Sequence, residues 1–283
     1  MVFGSRRVEL KKPDQLRAMR RAGLVVHSAL RAVATEIRPG ITTGELDAVA
    51  HEVIKSAGAT PSFLNYGQVP GQPGFPAVTC ISVNEEIVHG IPGDRELVAG
   101  DLVSIDCGAI VDGWHGDSAV SVLVGEVAPE VAGLSEATRD ALWAGISAAR
   151  LGGHVTDISA AIEGYVRSLA PDRRYGIVTE FTGHGIGSAM HQPPDVPNFG
   201  RPGRGPKIVP GLCLAVEPML TLGDPASATL DDEWTEVTID GRVACHWEHT
   251  MTVTAEGVWV LTAEDGGEAE LTARGIPYGP LAD

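Results

Sequence analysis

Positive charge is scarce in this 283-residue chain: 21 lysines and arginines face 37 aspartates and glutamates, for a net charge of −16. A surface of that sign repels phosphate backbones and anionic headgroups, which excludes specific nucleic-acid recognition and membrane-surface binding as its general business. Cysteine is scarce too. Cys80, Cys107, Cys213 and Cys245 are far apart, sit in apolar strand-like contexts and form no C-x-x-C pair. That excludes a disulfide framework and a thiolate metal site and leaves four reduced core thiols. Long apolar runs are missing: none approaches the ~18 residues of a membrane span, and the N-terminal stretch has no apolar core of the kind a signal peptide needs. A cytoplasmic enzyme is the expected setting.

What the chain does have is 43% hydrophobic residues, ordinary for a protein with a real core. Its one basic region is N-terminal, where Arg6, Arg7, Lys11, Lys12, Arg17, Arg20, Arg21 and Arg31 meet only Glu9 and Asp14. Such a run reads as a solvated helix face on an otherwise acidic body. From Leu16, apolar positions recur at Met19, Gly23, Val26, Leu30, Val33 and Ile37, one face of a long amphipathic helix that Pro39-Gly40 stops. Thr42 and Glu45 make a capping box for a second helix ending near Gly58. Residues 61–76 are rich in Gly and Pro and read as loop. A second helical pair is expected near 135–150 and 156–169. Shifted by 112 residues, Gly40, Leu46, Ala50, Val53 and Ile54 fall on Gly152, Ile158, Ile162, Tyr165 and Val166. Two similar halves follow, in an α+β layout with helices on one face of a largely antiparallel sheet and a site on the other.

The stretch LVSIDCGAIVDGWHGDSAV, residues 102–120, reads as two strands around an Asp112-Gly113 turn whose central positions need positive φ. Pairing Val111 with Trp114 sets Asp106 opposite Ala119 and Asp117 opposite Gly108, so the two aspartates are diagonal neighbours on one face. Diagonal neighbours lie roughly 7–8 Å apart at the backbone. On this hairpin alone the pair is either solvated or shares a cation. The second half offers further ligands. Alternation in GLCLAVEPML puts Cys213, Ala215 and Glu217 on one face; CHWEHTMTV carries Glu248; TGHGIGSAMHQPP frames His184 with glycines that admit close backbone approach. Four carboxylates and an imidazole suit Mn²⁺, Fe²⁺, Co²⁺ or Zn²⁺. Four negative charges exceed one divalent ion, which favours two ions about 3.5–4 Å apart and a water activated toward a carbonyl.

The order Asp, Asp eleven residues on, His within G-H-G-I-G, Glu within E-P-M and Glu within W-E-H-T resembles the dinuclear metal set of the type I methionine aminopeptidases. VNEEIVHGIPG and MHQPP resemble that family's flanking histidine segments, and the similarity runs from about Lys12 to Thr262. The resemblance implies the pita-bread fold and removal of initiator methionine from new polypeptides with a small second residue. It implies an organisation of a basic extension over 1–13, one catalytic domain over 14–265 and a tail over 266–283. By position, Asp106 would chelate one of two divalent metals, Asp117 and Glu248 would bridge, and His184 and Glu217 would complete the second metal's shell. His89 and His191 would contact substrate as non-ligand catalytic histidines, and Tyr66, Phe75, Cys80 and Trp234 would form the methionine pocket. The loop around GQVPGQPG is longer than the usual bacterial pattern, and Met190 stands where an aromatic is common. A monomer is expected, with the basic N-terminus reaching ribosomal RNA through contacts that salt weakens.

Two readings compete. Prolidase-like and aminopeptidase P enzymes share the fold and ligand types, which would make this an X-Pro peptidase. They carry an extra N-terminal domain, whereas this chain enters its first catalytic-domain helix by Asp14. A non-catalytic binding protein of the same fold would have lost ligands, and all five are present here.

Overall fold

The structure, a computed structural model, describes residues 8–169 and 174–281. Two helix pairs form as expected, except that the third helix begins at Pro129 rather than near 135. α1 (Pro13–Glu36) opens on Pro13, at a position where a missing N–H costs nothing, and buries Leu16, Met19, Val26, Leu30 and Val33. α2 (Thr43–Ser56) starts at the expected capping box: the Glu45 N–H donates to the Thr42 hydroxyl at 3.1 Å and the Thr42 N–H to the Glu45 carboxylate at 2.9 Å. α3 (Pro129–Ala148) and α4 (Val155–Ser168) form the second pair. The 112-residue shift that carries Gly40 to Gly152 also carries both ends of α2 onto both ends of α4. At α4 the Asp157 carboxylate, in the place of Glu45, accepts the His154 N–H at 2.9 Å. One local device thus starts the same helix in each half.

The central hairpin pairs Leu102–Val111 with Trp114–Leu123, with Val111 opposite Trp114, Asp106 opposite Ala119 and Asp117 opposite Gly108. Its turn residues take the positive φ that a two-residue connection requires, 51° at Asp112 and 80° at Gly113. Thr79–Val83 and Thr60–Pro61 extend the sheet antiparallel to Leu102–Val111. The second half carries a five-stranded sheet in the order Val258–Val260, His249–Val253, Cys213–Val216, Gly183–Gly185, Gln192–Val196. Every strand pairing among the described residues is antiparallel. At the site the halves bond reciprocally: the Glu248 N–H donates to the Ala119 carbonyl at 3.0 Å, and the Ala119 N–H to the Glu248 carbonyl at 3.3 Å.

Period-2 alternation sends each strand's apolar set toward the helices. Val103, Ile105, Cys107 and Ala109 pack with Val26, Leu30, Leu46 and Ile54. Leu212, Leu214, Val216, Met251 and Val253 pack with Leu134, Leu142, Ile146, Ile158 and Ile162. Each such side chain contributes ~1.5–3 kcal/mol through burial. The intervening positions, Asp106 and Glu217 among them, are left for the other face. All four cysteines are buried and unpaired. In the 266–283 segment, α5 (Glu268–Ala273) inserts a fully buried Leu271 into the second core. At the other end Lys11, read from sequence as part of a solvated basic face, is only 6% exposed.

α1 lies against the hairpin so closely that a Cβ on Gly116 would sit 2.6 Å from the Gly23 nitrogen and 2.9 Å from the Ala22 carbonyl carbon. Both are backbone atoms and cannot turn aside. Gly116→Ala should therefore destabilise the protein by about 1–3 kcal/mol. A urea denaturation midpoint unchanged from the parent would refute this account of the contact.

Candidate metal centre

Each strand brings its polar residue to one place for a local reason. The hairpin register puts Asp106 and Asp117 on the helix-free face. Glu217 leaves the Cys213–Val216 strand just before Pro218, and Glu248 sits where the two halves bond through Ala119. His184 lies in the Gly183–Gly185 strand, whose flanking glycines have no room for a Cβ: at Gly183 it would strike the Ala215 carbonyl and at Gly185 the Pro193 carbonyl. Glycine on both sides lets neighbouring strands close around His184.

The result is a cavity of about 320 Å³ lined by Asp106, Asp117, His184, Glu217, Glu248, His89, His191, Tyr66, Phe75, Cys80 and Trp234. Every residue that the sequence nominated is thus in one place. One ligand atom from each of Asp117, His184 and Glu248 lies within 4.8 Å of the other two. His184 Nε2 is 3.5 Å from Glu217 Oε1 and 4.0 Å from Asp117 Oδ2. On its other side, His184 Nδ1 is 3.0 Å from the Gly185 carbonyl. A carbonyl only accepts, so the ring proton belongs on Nδ1 and Nε2 presents its lone pair to the cavity, as a ligating imidazole does.

The charges in this cavity are poorly satisfied by protein alone. Asp117 and Glu248 are 3% and 2% exposed, and Asp106 Oδ1, Asp117 Oδ1 and Glu248 Oε1 are buried without a hydrogen-bond partner. Burial pushes the Asp106 carboxyl up to about 7. Burial, reinforced by the neighbouring carboxylates, raises Asp117, Glu217 and Glu248 well above the ordinary range. Orphaned carboxylate oxygens gathered within a few ångströms are what a divalent cation would satisfy, and the residues fit one. The imidazoles are held neutral by the same burial, His184 at about 3 and His89 and His191 at about 4.

Sequence reasoning passed over several lining residues. His246 is buried, with Nε2 unpartnered and 3.7 Å from Glu217 Oε2. Its signal was the alternation in CHWEHT, which gives His246 and Glu248 the same face. Phe181 packs edge-on to His89 with ring centres 5.5 Å apart, and Phe63 joins Phe75, Cys80 and the already noted Met190 in an apolar cluster. No periodicity marks these positions, which come from loops.

The family model of metallopeptidase family M24 matches residues 17–255. The chain is 49% identical to methionine aminopeptidase 1 of Mycobacterium tuberculosis (strain CDC 1551 / Oshkosh), over 92% of this chain and 96% of that protein. The crystal structure of methionine aminopeptidase from Thermotoga maritima matches with a TM-score of 0.86 at 36% identity, covering 91% of this chain and 100% of that one. Prolidase from Pyrococcus furiosus matches at 0.70 with 20% identity over 90% of this chain and 65% of that one, a likeness of fold alone.

The carboxylates predict how metal and stability are linked. An unfolded aspartate ionises near 3.9, whereas Asp106 in the metal-free cavity holds its proton up to about 7. A raised folded value makes this contribution to stability fully present below the unfolded value and lost as pH rises through about 7. Cation binding favours the ionised form and offsets that loss. The rise in Tm between chelated protein and protein with Mn²⁺ should accordingly be several degrees larger at pH 8 than at pH 5.5. An equal or smaller rise at pH 8 contradicts the assignment.

Proposed function

The chain belongs to the methionine aminopeptidases of metallopeptidase family M24, with their pita-bread fold, and from that membership we propose how its own residues release N-terminal methionine from peptides with a small second residue. Asp106, Asp117, His184, Glu217 and Glu248 hold a pair of divalent ions, of Mn, Fe, Co or Zn. A bound pair supplies concentrated positive charge that makes a water nucleophilic near neutral pH and polarises a carbonyl. The observation that carries this reading is the set of buried, unpartnered carboxylate oxygens facing one cavity.

The remaining residues bind and orient the peptide. Phe63, Phe75, Cys80 and Met190, with Trp234 against Phe75 at 5.3 Å between ring centres, make an apolar recess for an unbranched thioether, which aromatic edges favour. His191 is the hydrogen-bond donor to the substrate. The Tyr66 hydroxyl lies 2.6 Å from His191 Nδ1, and its pKa is raised by burial and by Asp117. A phenol kept protonated donates to Nδ1 and leaves the imidazole proton on Nε2, aimed at the peptide. His89, neutral and braced by Phe181, is the second donor.

An X-Pro specificity is the weaker reading, since the likeness to prolidase extends to fold alone. We place the enzyme in the cytoplasm as a monomer; no helix among the described residues is long and apolar enough to cross a membrane. Contact with ribosomal RNA would draw on exposed Lys12, Arg21 and Arg31 rather than on Lys11, which is buried; Arg6 and Arg7, also in the basic run, lie outside the described residues. Such a contact would be released by added salt.

With Mn²⁺ or Co²⁺, Met-Ala-Ser should be cleaved faster than Met-Leu-Ser, and Ala-Pro not at all; Met-Leu-Ser cleaved as fast, or Ala-Pro cleaved faster, would sink the specificity. The two histidines separate the roles. His184→Ala removes an inner-shell ligand, so metal binding should weaken and activity vanish with little rescue by excess metal. His191→Ala should retain metal and lose about 10²–10³ in kcat, the usual cost of one donor to developing charge. Metal stoichiometry measured beside kcat decides, and metal loss in His191→Ala with retention in His184→Ala would reverse the assignment.

A further inference from the structure

Residues 8–12 have no part in the site as described, yet they cross the loop that carries His191. The Glu9 carboxylate accepts the Ser188 N–H at 3.0 Å and the Ser188 hydroxyl at 2.7 Å. The Lys11 ammonium donates to the Glu9 carbonyl at 3.1 Å and to Gln192 Oε1 at 3.3 Å, and lies 3.5 Å from Glu9 Oε2. Gln192, the residue after His191, donates in turn to the Ser188 hydroxyl at 3.2 Å. The strap is anchored beneath by the Lys11 N–H, which donates to the Gly211 carbonyl at 2.8 Å. The fit is close: a Cβ on Gly187 would collide with both Glu9 and Lys11.

The Lys11 side chain is 1% exposed, and an ammonium taken that far from water is costly unless paired. A methionine of similar length would fill the same space without that cost, so packing alone does not explain a lysine here. What the charge does supply is a fixed link between Glu9 and Gln192, one on each side of the loop. On the inner side the loop is held by the His115 N–H, which donates to the Gly187 carbonyl at 2.9 Å, and by Tyr66 on His191. The strap closes the outer side.

We propose that Glu9 and Lys11 are positioning residues for the known reaction: they hold the 187–192 loop so that His191 faces the substrate. This rests on His191 acting as the donor, as above. Misplacing a catalytic group by about 1 Å typically costs about 10²-fold.

Lys11→Met and Glu9→Gln test the strap from its own side, and Ser188→Ala, at an exposed position, tests it from the loop. In the first two, amide hydrogen exchange over 186–192 should quicken by about tenfold or more while the 213–216 and 249–253 strands exchange as in the parent. With metal content unchanged, kcat for Met-Ala-Ser should fall about 10–100-fold and KM stay within about twofold. In a His191→Ala background the same substitutions should cost less than about twofold, which a merely stabilising strap would not show. Unchanged loop exchange, unchanged kcat, or an equal loss with and without His191 would overturn the proposal. Should Lys11→Met fail to fold, Glu9→Gln and Ser188→Ala give the same readings. A parent that cleaves no Met peptide would instead refute the peptidase reading, and loop exchange would still decide whether the strap holds the loop.

Discussion

Burial of four carboxylates in one cavity is the constraint around which this molecule is arranged. Desolvation disfavours the charged form of Asp106, Asp117, Glu217 and Glu248 alike, and neighbouring carboxylates add repulsion at the last three. Left to relax, the cluster would separate. It is kept together by elements that cannot yield independently: two apolar cores press the sheets against α1–α2 and α3–α4 from behind, and the Ala119–Glu248 bonds lock the halves where the carboxylates meet. Burial favours the protonated form there, with Asp106 pushed up to about 7. The framework thus holds together a set of groups that ionise readily only when positive charge is bound among them.

Such a device tolerates no error of register. A strand slipped by one residue turns Asp106 and Asp117 toward the helices and Ile105 and Ser118 into the cavity. The guard against this is local: Asp112 and Gly113 adopt the positive φ that a two-residue hairpin turn requires, and the register it sets reaches ten residues along each strand. The second half has no such hairpin at the site. Its ligands come from three separate segments, and register there depends on close approach, with Gly183 and Gly185 admitting neighbours that any side chain would exclude.

This difference explains what could be read from the sequence. The hairpin, the capping box at Thr42 and the correspondence of α2 with α4 are local features, and each was legible with its boundaries nearly right. That Asp106, Asp117 and Glu217 face one cavity was legible because the hairpin register and period-2 alternation fix a face even when the partner strand is unknown. Features decided by distant partners were not. Lys11 reads as one more member of a basic run until Gln192, 181 residues away, is brought beside it. α3 opens at Pro129 after Ala128, with no side-chain hydrogen bond at its cap, so the proline is the one local mark of its start and the expected boundary fell six residues late. Leu271 lies in a short helix within a segment expected to be tail, and only the core it completes gives it significance.

The histidines show how one environment yields different chemistry. Burial disfavours every charged form, so it lifts the carboxylates and lowers His184, His191, His89 and His246 by the same cause. All four imidazoles are therefore neutral at physiological pH, and what distinguishes them is the atom that carries the proton. At His184 the Gly185 carbonyl claims the Nδ1 proton and turns a lone pair toward the cavity. At His191, whose ring centre is only 4.3 Å from that of His184, the Tyr66 hydroxyl lies 2.6 Å from Nδ1, and in the proposed role it donates a hydrogen bond there and leaves the ring N–H on Nε2. One neighbour accepts and the other donates. Two adjacent rings of the same charge are thereby set to opposite polarity, one suited to a cation and the other to a developing anion. The hydrogen-bonding group behind each ring, rather than the ring itself, decides which task it can perform.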